Sequence, residues 1–437
     1  MIRITGVETL DLRFPTSKLL DGSDAMNPDP DYSAAVCVLK TSVDGLEGHG
    51  MTFTIGRGNE ICAAAIRALA PFVTGLSLEE IQADMAAFSR RVTGDSQLRW
   101  LGPEKGVVHL AAAAVINAAW DLWAKVAAKP VWQLVCDMSP QEIATLIDYR
   151  HITDALTREE AVELLQDKCA GRAERLARMK TGGLDAYTTS AGWLGYGDEK
   201  IRLLCREAVA SGWQALKFKV GRDDAQNLAR CRIAREELGG GRHLMIDANQ
   251  VWEIDEAIAR VRHLMSTDPW WIEEPLSPDD ILGHRRVAEA VRPVRVATGE
   301  HCHNRVMFKQ FLQADAIDVV QVDACRLAGL NENLAVLLMA AKFGKAVCPH
   351  AGGVGLCEYV QHIGAIDLIA IGGERDDRMV EFAGHLHEHF VDPVDVHDGA
   401  YWPSAKPGFS VEFLRESAEM YRYPDGSYWR STSGSPA

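Results

Sequence analysis

The sequence predicts an α/β protein: a modified TIM (β/α) barrel with an N-terminal α+β capping domain that the C-terminal tail completes. The main observation is an alternation of short apolar segments with helical ones through the second half of the chain. The apolar segments end about every 23–31 residues, which is roughly one βα unit. Each ends in a polar residue, in the order Lys219, Asp247, Glu273, Glu300, Asp323, His350 and Glu381. The first 140 residues instead place strands before helices, which predicts a separate domain.

Composition narrows the class of protein. The chain has 437 residues, enough for two domains, and 47% of them are hydrophobic. Its net charge of −15 argues against a nucleic-acid partner or an anionic membrane surface. Ten cysteines without a CxxC pair predict reduced thiols and a cytoplasmic location. We identify no signal peptide and no apolar run that approaches the roughly 20 residues of a membrane span.

The capping domain is predicted over residues 1–140. Its long polar loop over 14–31 is of the kind that forms lids or binding loops. The other predicted elements are a strand at 2–12, a hairpin of 34–41 and 48–54, helices at 59–73 and 106–127, and a helix that starts at Ser77 with a capping box to Glu80.

The barrel is predicted over residues 141–390, and a tail over 391–437 is expected to pack back on the capping domain. A strand at Ile147–Arg150 and a helical region at 157–180 precede the regular alternation. A strand near Ala186–Ser190 makes eight with the seven strand ends given above. Pro393, Pro403 and Pro407 mark the start of the tail.

Two lysines lie within one short strand, Ala215–Gly221. Because side chains alternate along a strand, Lys217 and Lys219 point to the same face and Phe218 points into the core. Like charges this close, in a buried place, are expected to lower each lysine pKa. A lysine with a lowered pKa can act as a base.

Three acids follow on neighbouring strands: Asp247, Glu273 and Glu300. Barrel enzymes keep their sites at this rim, and three carboxylates do not crowd together without a cation. Oxygen ligands favour Mg²⁺. The sequence therefore predicts a magnesium site, with Asn249 beside it as a contact for a substrate hydroxyl or carboxylate.

A histidine–carboxylate pair is predicted across the mouth from the lysines. His350 and Asp323 end adjacent strands, so the acid can fix the imidazole tautomer and raise its basicity. Glu381 would hydrogen-bond a developing negative charge if it were protonated. We expect His301-Cys302-His303 not to be a zinc site, and the cluster of His385, His387 and His389 to be structural.

These residues alone leave several functions open. Two bases on opposite faces of a carbon serve a racemase or epimerase as well as a dehydratase. A Schiff-base aldolase would use Lys219 as its nucleophile, although the acidic triad argues against it. A non-catalytic relic of a barrel enzyme would normally have lost one of these groups, and none is missing.

The pattern resembles the enolase superfamily, in its mandelate-racemase-like branch, at Lys217-Phe-Lys219, the three acids and the Asp323–His350 pair. Over nearly the whole chain, loop segments such as Gly22-Ser-Asp-Ala-Met26 and His350-Ala-Gly-Gly353 resemble the L-fuconate dehydratases. The resemblance implies an enzyme that converts L-fuconate to 2-keto-3-deoxy-L-fuconate with Mg²⁺.

In the implied reaction, Lys219 removes the C2 proton, and Lys217 with the metal neutralises charge on the substrate carboxylate. His350 then acts as the acid for the leaving C3 hydroxyl. The substrate contacts expected from the resemblance and the strand ends are Gly22, Ser23, Asp24, Tyr32, Lys217, Asn249, Glu300 and Glu381. The expected partner is a small sugar acid. A homo-oligomer is the expected assembly.

Overall fold

The structure, a computed structural model, describes residues 1–432. It begins with a three-stranded antiparallel sheet in the order β1-β2-β3, and β2 pairs with β3 as the predicted hairpin, with Cys37 opposite Gly50. Ser77 and Glu80 form the predicted capping box. The elements are β1 (Ile4–Arg13), β2 (Ser33–Thr41), β3 (Glu47–Thr54), α1 (Asn59–Leu69), α2 (Leu78–Ala83), α3 (Met85–Thr93), α4 (Gly106–Val126), α5 (Val131–Cys136) and α6 (Pro140–Thr145).

Helix α4 is the core helix of this region. Its alanines let it lie close to β3, where a Cβ on Gly50 would come 2.1 Å from Ala114 O. The expectation that no segment has the length and composition of a membrane span is wrong for α4, which has a mean hydropathy of 1.4. Because 78% of the most apolar 18-residue stretch of α4 is buried inside the protein, α4 fits the core helix of a packed domain.

Eight parallel strands then curl into a barrel, in the neighbour order β11-β4-β5-β6-β7-β8-β9-β10. Its ends meet through a hydrogen bond from Glu381 N–H to Pro349 O (3.3 Å). The elements are α7 (Arg158–Asp167), α8 (Arg172–Gly182), β4 (Leu184–Thr188), α9 (Asp198–Ala210), β5 (Ala215–Lys219), α10 (Asp224–Leu238), β6 (His243–Asp247), α11 (Ile254–Leu264), β7 (Pro269–Glu273), α12 (Ile281–Ala290), β8 (Arg295–Thr298), α13 (Arg305–Gln313), β9 (Val319–Val320), α14 (Leu330–Lys342), β10 (Ala346–Val347), α15 (Leu356–Ile366) and β11 (Val380–Phe382). The predicted fold class is confirmed.

One predicted strand is wrong. Residues Ile147–Arg150 form no strand. Ile147 is buried as an alternating pattern requires, but Asp148 instead pairs with Arg150 (2.6 Å) and with Arg305 on α13 (3.3 Å). Side-chain ion pairs, rather than a β-ladder, hold this segment.

The interior of the barrel carries an apolar layer below the predicted site. It takes one residue from each of seven strands or their ends: Tyr187, Ala215, Met245, Trp271, Ala297, Val319 and Cys348. Phe218 points the other way and is fully buried in the main core, as predicted. This alternation presents the polar residues at the strand ends to the opening of the barrel.

The C-terminal segment contacts both earlier parts of the chain. Its elements are β12 (Val396–His397), β13 (Ala400–Tyr401), α16 (Arg415–Tyr421) and α17 (Ser427–Thr432). Strand β13 pairs with β4, the Tyr401 hydroxyl donates to Glu381 O, and Tyr423 N–H donates to Asp11 O on β1 (2.8 Å). Domain limits at residues 140 and 390 stay predictions, and residues 433–437 of the predicted tail lie outside the described residues.

All ten cysteines are free, and nine of them are buried. Burial raises the pKa of several of these thiols, to about 12 at Cys136. This fits the predicted reduced thiols, while the cytoplasmic location stays a prediction.

Candidate active site

A cavity of about 280 Å³ opens where the carboxyl ends of the barrel strands face the capping region. Its lining includes five residues predicted from the barrel: Lys219, Asn249, Glu300, Asp323 and His350. A larger cavity of about 670 Å³ lies near α2, α3 and α6 but is lined by none of the predicted site residues. The chemistry therefore assigns the site to the smaller cavity.

The two lysines point together into the acidic cluster. Lys217 Nζ lies 2.5 Å from Glu273 Oε1 and 2.8 Å from Glu381 Oε1, and Lys219 Nζ lies 2.5 Å from Asp247 Oδ2. The predicted lowering of their pKa values is wrong, because both values are raised. Burial lowers the pKa of each lysine, but Glu273 raises that of Lys217 and Asp247 raises that of Lys219, and the carboxylates prevail.

The three predicted metal ligands come together. Ligand oxygens of Asp247, Glu273 and Glu300 all lie within 4.8 Å of one another, and all three residues are buried. Burial raises the pKa of Glu273 well above its usual value, because it disfavours the charged form. Glu300 Oε2 is buried and makes no hydrogen bond, and its ion-pair neighbour is His350 Nε2 at 3.3 Å. Three converging buried carboxylates fit Mg²⁺.

His350 and Asp323 form the predicted pair. His350 Nδ1 lies 2.8 Å from Asp323 Oδ2, and His350 Nε2 lies 3.3 Å from Glu300 Oε2. Asp323 Oδ1 accepts from the N–H groups of Cys325 (2.7 Å) and Arg326 (2.6 Å), which fix the carboxylate. Burial lowers the pKa of His350, but the Glu300 charge and the bond to Asp323 together raise that pKa to about 10. His350 Nε2 also receives the Gly352 N–H (3.2 Å), so this nitrogen faces Glu300 and Gly352 at the cavity.

Glu381 does not meet the condition, protonation, under which it would hydrogen-bond a developing negative charge. Its carboxylate is hydrogen-bonded by the Thr189 hydroxyl and by Ala351 N–H (2.9 Å), in addition to its ion pair with Lys217. Burial raises the pKa of Glu381, but Lys217 and His350 outweigh it and hold that pKa below its usual range. Glu381 is a charged anchor for Lys217.

Four predicted contacts come from the long loop over residues 14–31 and its end. Gly22, Asp24 and Tyr32 line the cavity, and Gly22 has φ +82° and no room for a Cβ beside the Tyr32 ring. Ser23 does not line it, because its hydroxyl donates to Leu20 O and accepts from Gly195 N–H (3.0 Å). Ser23 fastens the loop to the barrel instead of facing a substrate.

Asn249 is held beside the acids. Its backbone N–H donates to Asp247 Oδ1 (2.9 Å), and its side-chain Oδ1 is buried without a partner. That free oxygen borders the cavity, where a ligand hydroxyl can reach it.

Sequence reasoning missed several cavity residues. His301 was discounted with Cys302 and His303, yet it lines the cavity with Trp193, Arg57 and Arg326. His301 Nδ1 lies 2.8 Å from Glu274 Oε1, and Glu274, Glu300 and His301 form a second group with ligand-like geometry. The available signal was position: Glu274 directly follows Glu273, and His301 directly follows Glu300.

In the second histidine cluster, His385 stacks on the cavity residue Tyr32 with ring centres 5.2 Å apart, and the structural role of the cluster stays a prediction. His387 Nδ1 lies 2.8 Å from Glu358 Oε1, and His389 stacks on Phe14 with ring centres 4.7 Å apart. The His387 ring stacks on Phe382 of β11, whereas the His389 ring also contacts Tyr421 of the tail.

Comparison with known proteins identifies the family. Residues 200–417 match the family model described as enolase C-terminal domain-like, and residues 31–136 match the N-terminal domain of the mandelate racemase / muconate lactonizing enzymes. The chain belongs to the enolase superfamily. Within the superfamily it falls in the mandelate-racemase-like branch, as its strand-end residues predicted.

Individual members of the superfamily align over nearly the full chain. The crystal structure of human mitochondrial enolase superfamily member 1 is similar with a TM-score of 0.98 and 50% identity, over 99% of both chains. L-galactonate dehydratase of Hypocrea jecorina is 51% identical over 100% of this chain and 98% of its own. L-talarate/galactarate dehydratase of Salmonella typhimurium LT2, solved with Mg and L-lyxarohydroxamate, has a TM-score of 0.75 at 23% identity, over 95% of this chain and 92% of that one, which shows a shared fold.

Proposed function

We propose that this protein is a magnesium-dependent dehydratase of a six-carbon sugar acid, a carbon–oxygen lyase. One observation carries the proposal. Lys219, at the end of β5, and His350, just after β10, both line the cavity that Glu300 borders, and they come from strands far apart around the barrel. A base and an acid placed this way can remove water from two neighbouring carbons. The 51% identity to a sugar-acid dehydratase supports this choice.

Asp247, Glu273 and Glu300 would hold the Mg²⁺, since their oxygens converge within 4.8 Å. When bound, the ion supplies Lewis-acid stabilisation of the substrate carboxylate. Asp247 is also the ion-pair partner of Lys219 at 2.5 Å. With Asp247 engaged as a metal ligand, Lys219 would lose part of this ion pair, which would favour the neutral amine that a base requires.

The remaining steps belong to the side chains. The Lys219 amine takes the C2 proton, while the Lys217 ammonium faces the charge that develops on the carboxylate. His350 gives its proton to the C3 hydroxyl, which leaves as water. The resulting enol then becomes the 2-keto-3-deoxy acid. Asp323 keeps the His350 proton-donating nitrogen aimed into the cavity by holding the other nitrogen at 2.8 Å.

We propose L-fuconate as the substrate and 2-keto-3-deoxy-L-fuconate as the product. L-galactonate is the second candidate, because a relative at 51% identity carries that name. The two acids differ only at C6, which is a methyl in fuconate and bears a hydroxyl in galactonate. Asp24 and Tyr32 would face that distal end of the substrate, together with Arg57 at the rim.

The test is a panel of six-carbon acids incubated with the protein and Mg²⁺, with 2-keto acid measured. We expect keto acid from L-fuconate or L-galactonate and none after chelation. A racemase or epimerase is the rival that the same two groups would serve. Exchange of C2 hydrogen for deuterium without keto-acid formation from any acid would establish that rival and reject the dehydratase.

A cytoplasmic location and a homo-oligomer remain part of this proposal. The location rests on the ten free thiols.

A further inference from the structure

Histidine–carboxylate pairs at 2.8 Å occur four times in residues 1–432: His109–Glu332, His301–Glu274, His350–Asp323 and His387–Glu358. Two of the four imidazoles, His301 and His350, line the cavity. The mechanism uses His350 and leaves the His301–Glu274 pair without a role.

The pair is held by a strained piece of backbone. Gln250 Nε2 donates to both oxygens of Glu274 (3.1 and 3.0 Å), and Gln250 N–H donates to Glu274 O (2.7 Å). Asn249, Gln250 and Glu274 have φ values of +44°, +69° and +41°, a region that side chains other than glycine rarely adopt. Strain of this kind persists where the surroundings fix it, and it clusters at ligand sites.

The orientation of the ring follows from its contacts. His301 Nδ1 faces two partners, Glu274 Oε1 at 2.8 Å and Gln250 Nε2 at 2.7 Å, which together hold this edge of the ring. Among the described residues, no group bonds His301 Nε2, and about 35% of the side chain is exposed. Since His301 Nδ1 lies 3.4 Å from Glu300 Oε1, the imidazole borders the part of the cavity next to the metal ligands.

Resting on the dehydratase function, we propose that His301 is a substrate-binding residue for a hydroxyl on the carboxylate-proximal half of the sugar acid. Glu274 is its positioning residue. An imidazole with one nitrogen fixed offers the other to a hydroxyl, in the same arrangement that aims His350 at its hydroxyl. The distal carbons of the substrate face Asp24 and Tyr32 instead, so they play no part in this contact.

The test measures binding rather than turnover. In a Lys219→Met background with Mg²⁺, calorimetry measures the binding of two acids. One is a six-carbon acid, and the other is a four-carbon 2,3,4-trihydroxy acid, which keeps only the proximal hydroxyls. We expect His301→Ala to weaken the binding of both acids by the same factor, about tenfold. His301→Gln, which keeps a hydrogen-bonding end, should restore part of the affinity. Glu274→Gln should weaken the binding of both acids less than His301→Ala does. In the double variant, Glu274→Gln should add little to the loss of affinity caused by His301→Ala.

The matched control is His387→Ala, which removes an imidazole from an equivalent pair outside the cavity and should leave both affinities unchanged. Unaltered affinity in His301→Ala, or a loss confined to the six-carbon acid, would overturn the assignment. His301→Gln also guards against a folding defect in the alanine variant. Keto-acid release by the unmodified protein is measured separately. Its absence would reject the dehydratase function, while the affinities of the variants would still decide the role of His301.

Discussion

The Asp323→Asn substitution separates the two halves of the proposed reaction. Asn keeps an oxygen to accept from the N–H groups of Cys325 and Arg326, but it places an NH₂ group where Asp323 Oδ2 now lies 2.8 Å from His350 Nδ1. That donor forces Nδ1 to accept, so His350 loses both its charge-assisted bond and its preferred tautomer. The proton on Lys219 is untouched by the change.

The size of the effect follows from that bond. Both partners are buried, and a hydrogen bond to a charged group contributes roughly 1.5–3 kcal/mol. At about 1.36 kcal/mol for each factor of ten, water elimination should slow by roughly 10- to 150-fold. Exchange of the C2 hydrogen, which does not use His350, should keep its rate.

The assay is a reaction in D₂O that follows keto acid and C2 deuterium in the same sample. The control is Glu358→Gln, which alters an equivalent pair, His387–Glu358 at 2.8 Å, outside the cavity. An equal fall in exchange and elimination, or no fall in either, would refute the division of labour between Lys219 and His350.

Other outcomes are expected from particular contacts. Gly50→Ala brings a Cβ to 2.1 Å from Ala114 O and should destabilise the fold by ~1–3 kcal/mol in a denaturant titration, whereas Gly6→Ala, with nothing within 4 Å, should not. Burial lowers the pKa of His362 to about 3, below its unfolded value near 6.5, so its contribution to stability is complete above pH 6.5 and is lost as pH falls toward 3; His362→Asn should flatten that part of the stability profile, and an unchanged profile would contradict this reasoning. Mg²⁺ at a hundred times its Kd should stabilise the folded protein by ~2.7 kcal/mol, seen as a higher Tm that EDTA reverses, and Asp247→Asn should remove this dependence; a Tm indifferent to Mg²⁺ in the unmodified protein would count against the metal site.

The spacing of the strand ends was enough to predict most of the fold and the central residues of the candidate site. Helical crossovers set the interval between parallel strands, so polar residues one unit apart had to meet at one rim. The strands themselves are shorter than predicted at β8, β9 and β10: β8 ends at Thr298, before Glu300, and β10 ends at Val347, before His350. Those side chains still reach the site from the loops.

What the sequence could not show was the pairing of charges. Lys217 and Lys219 were expected to repel each other, but each faces a nearer carboxylate, which raises its pKa. Ser23 carries a hydroxyl fit for a substrate, yet backbone groups of Leu20 and Gly195, far apart in the chain, occupy it. Such partners depend on tertiary distances that spacing along the chain does not contain.

The bond from Tyr401 to the backbone of Glu381 has a consequence for synthesis on the ribosome. Lys217 emerges early from the ribosome, but its anchor Glu381 comes much later in the chain. Strand β13, which contains Tyr401 and pairs with β4, is synthesised later still. Domains fold as they emerge, N-terminal parts first. A nascent chain that has completed every barrel strand therefore still lacks the segment that secures the last one. We expect a product terminated before residue 400 to be released with its lysines and acids present but the rim of the candidate site unfinished.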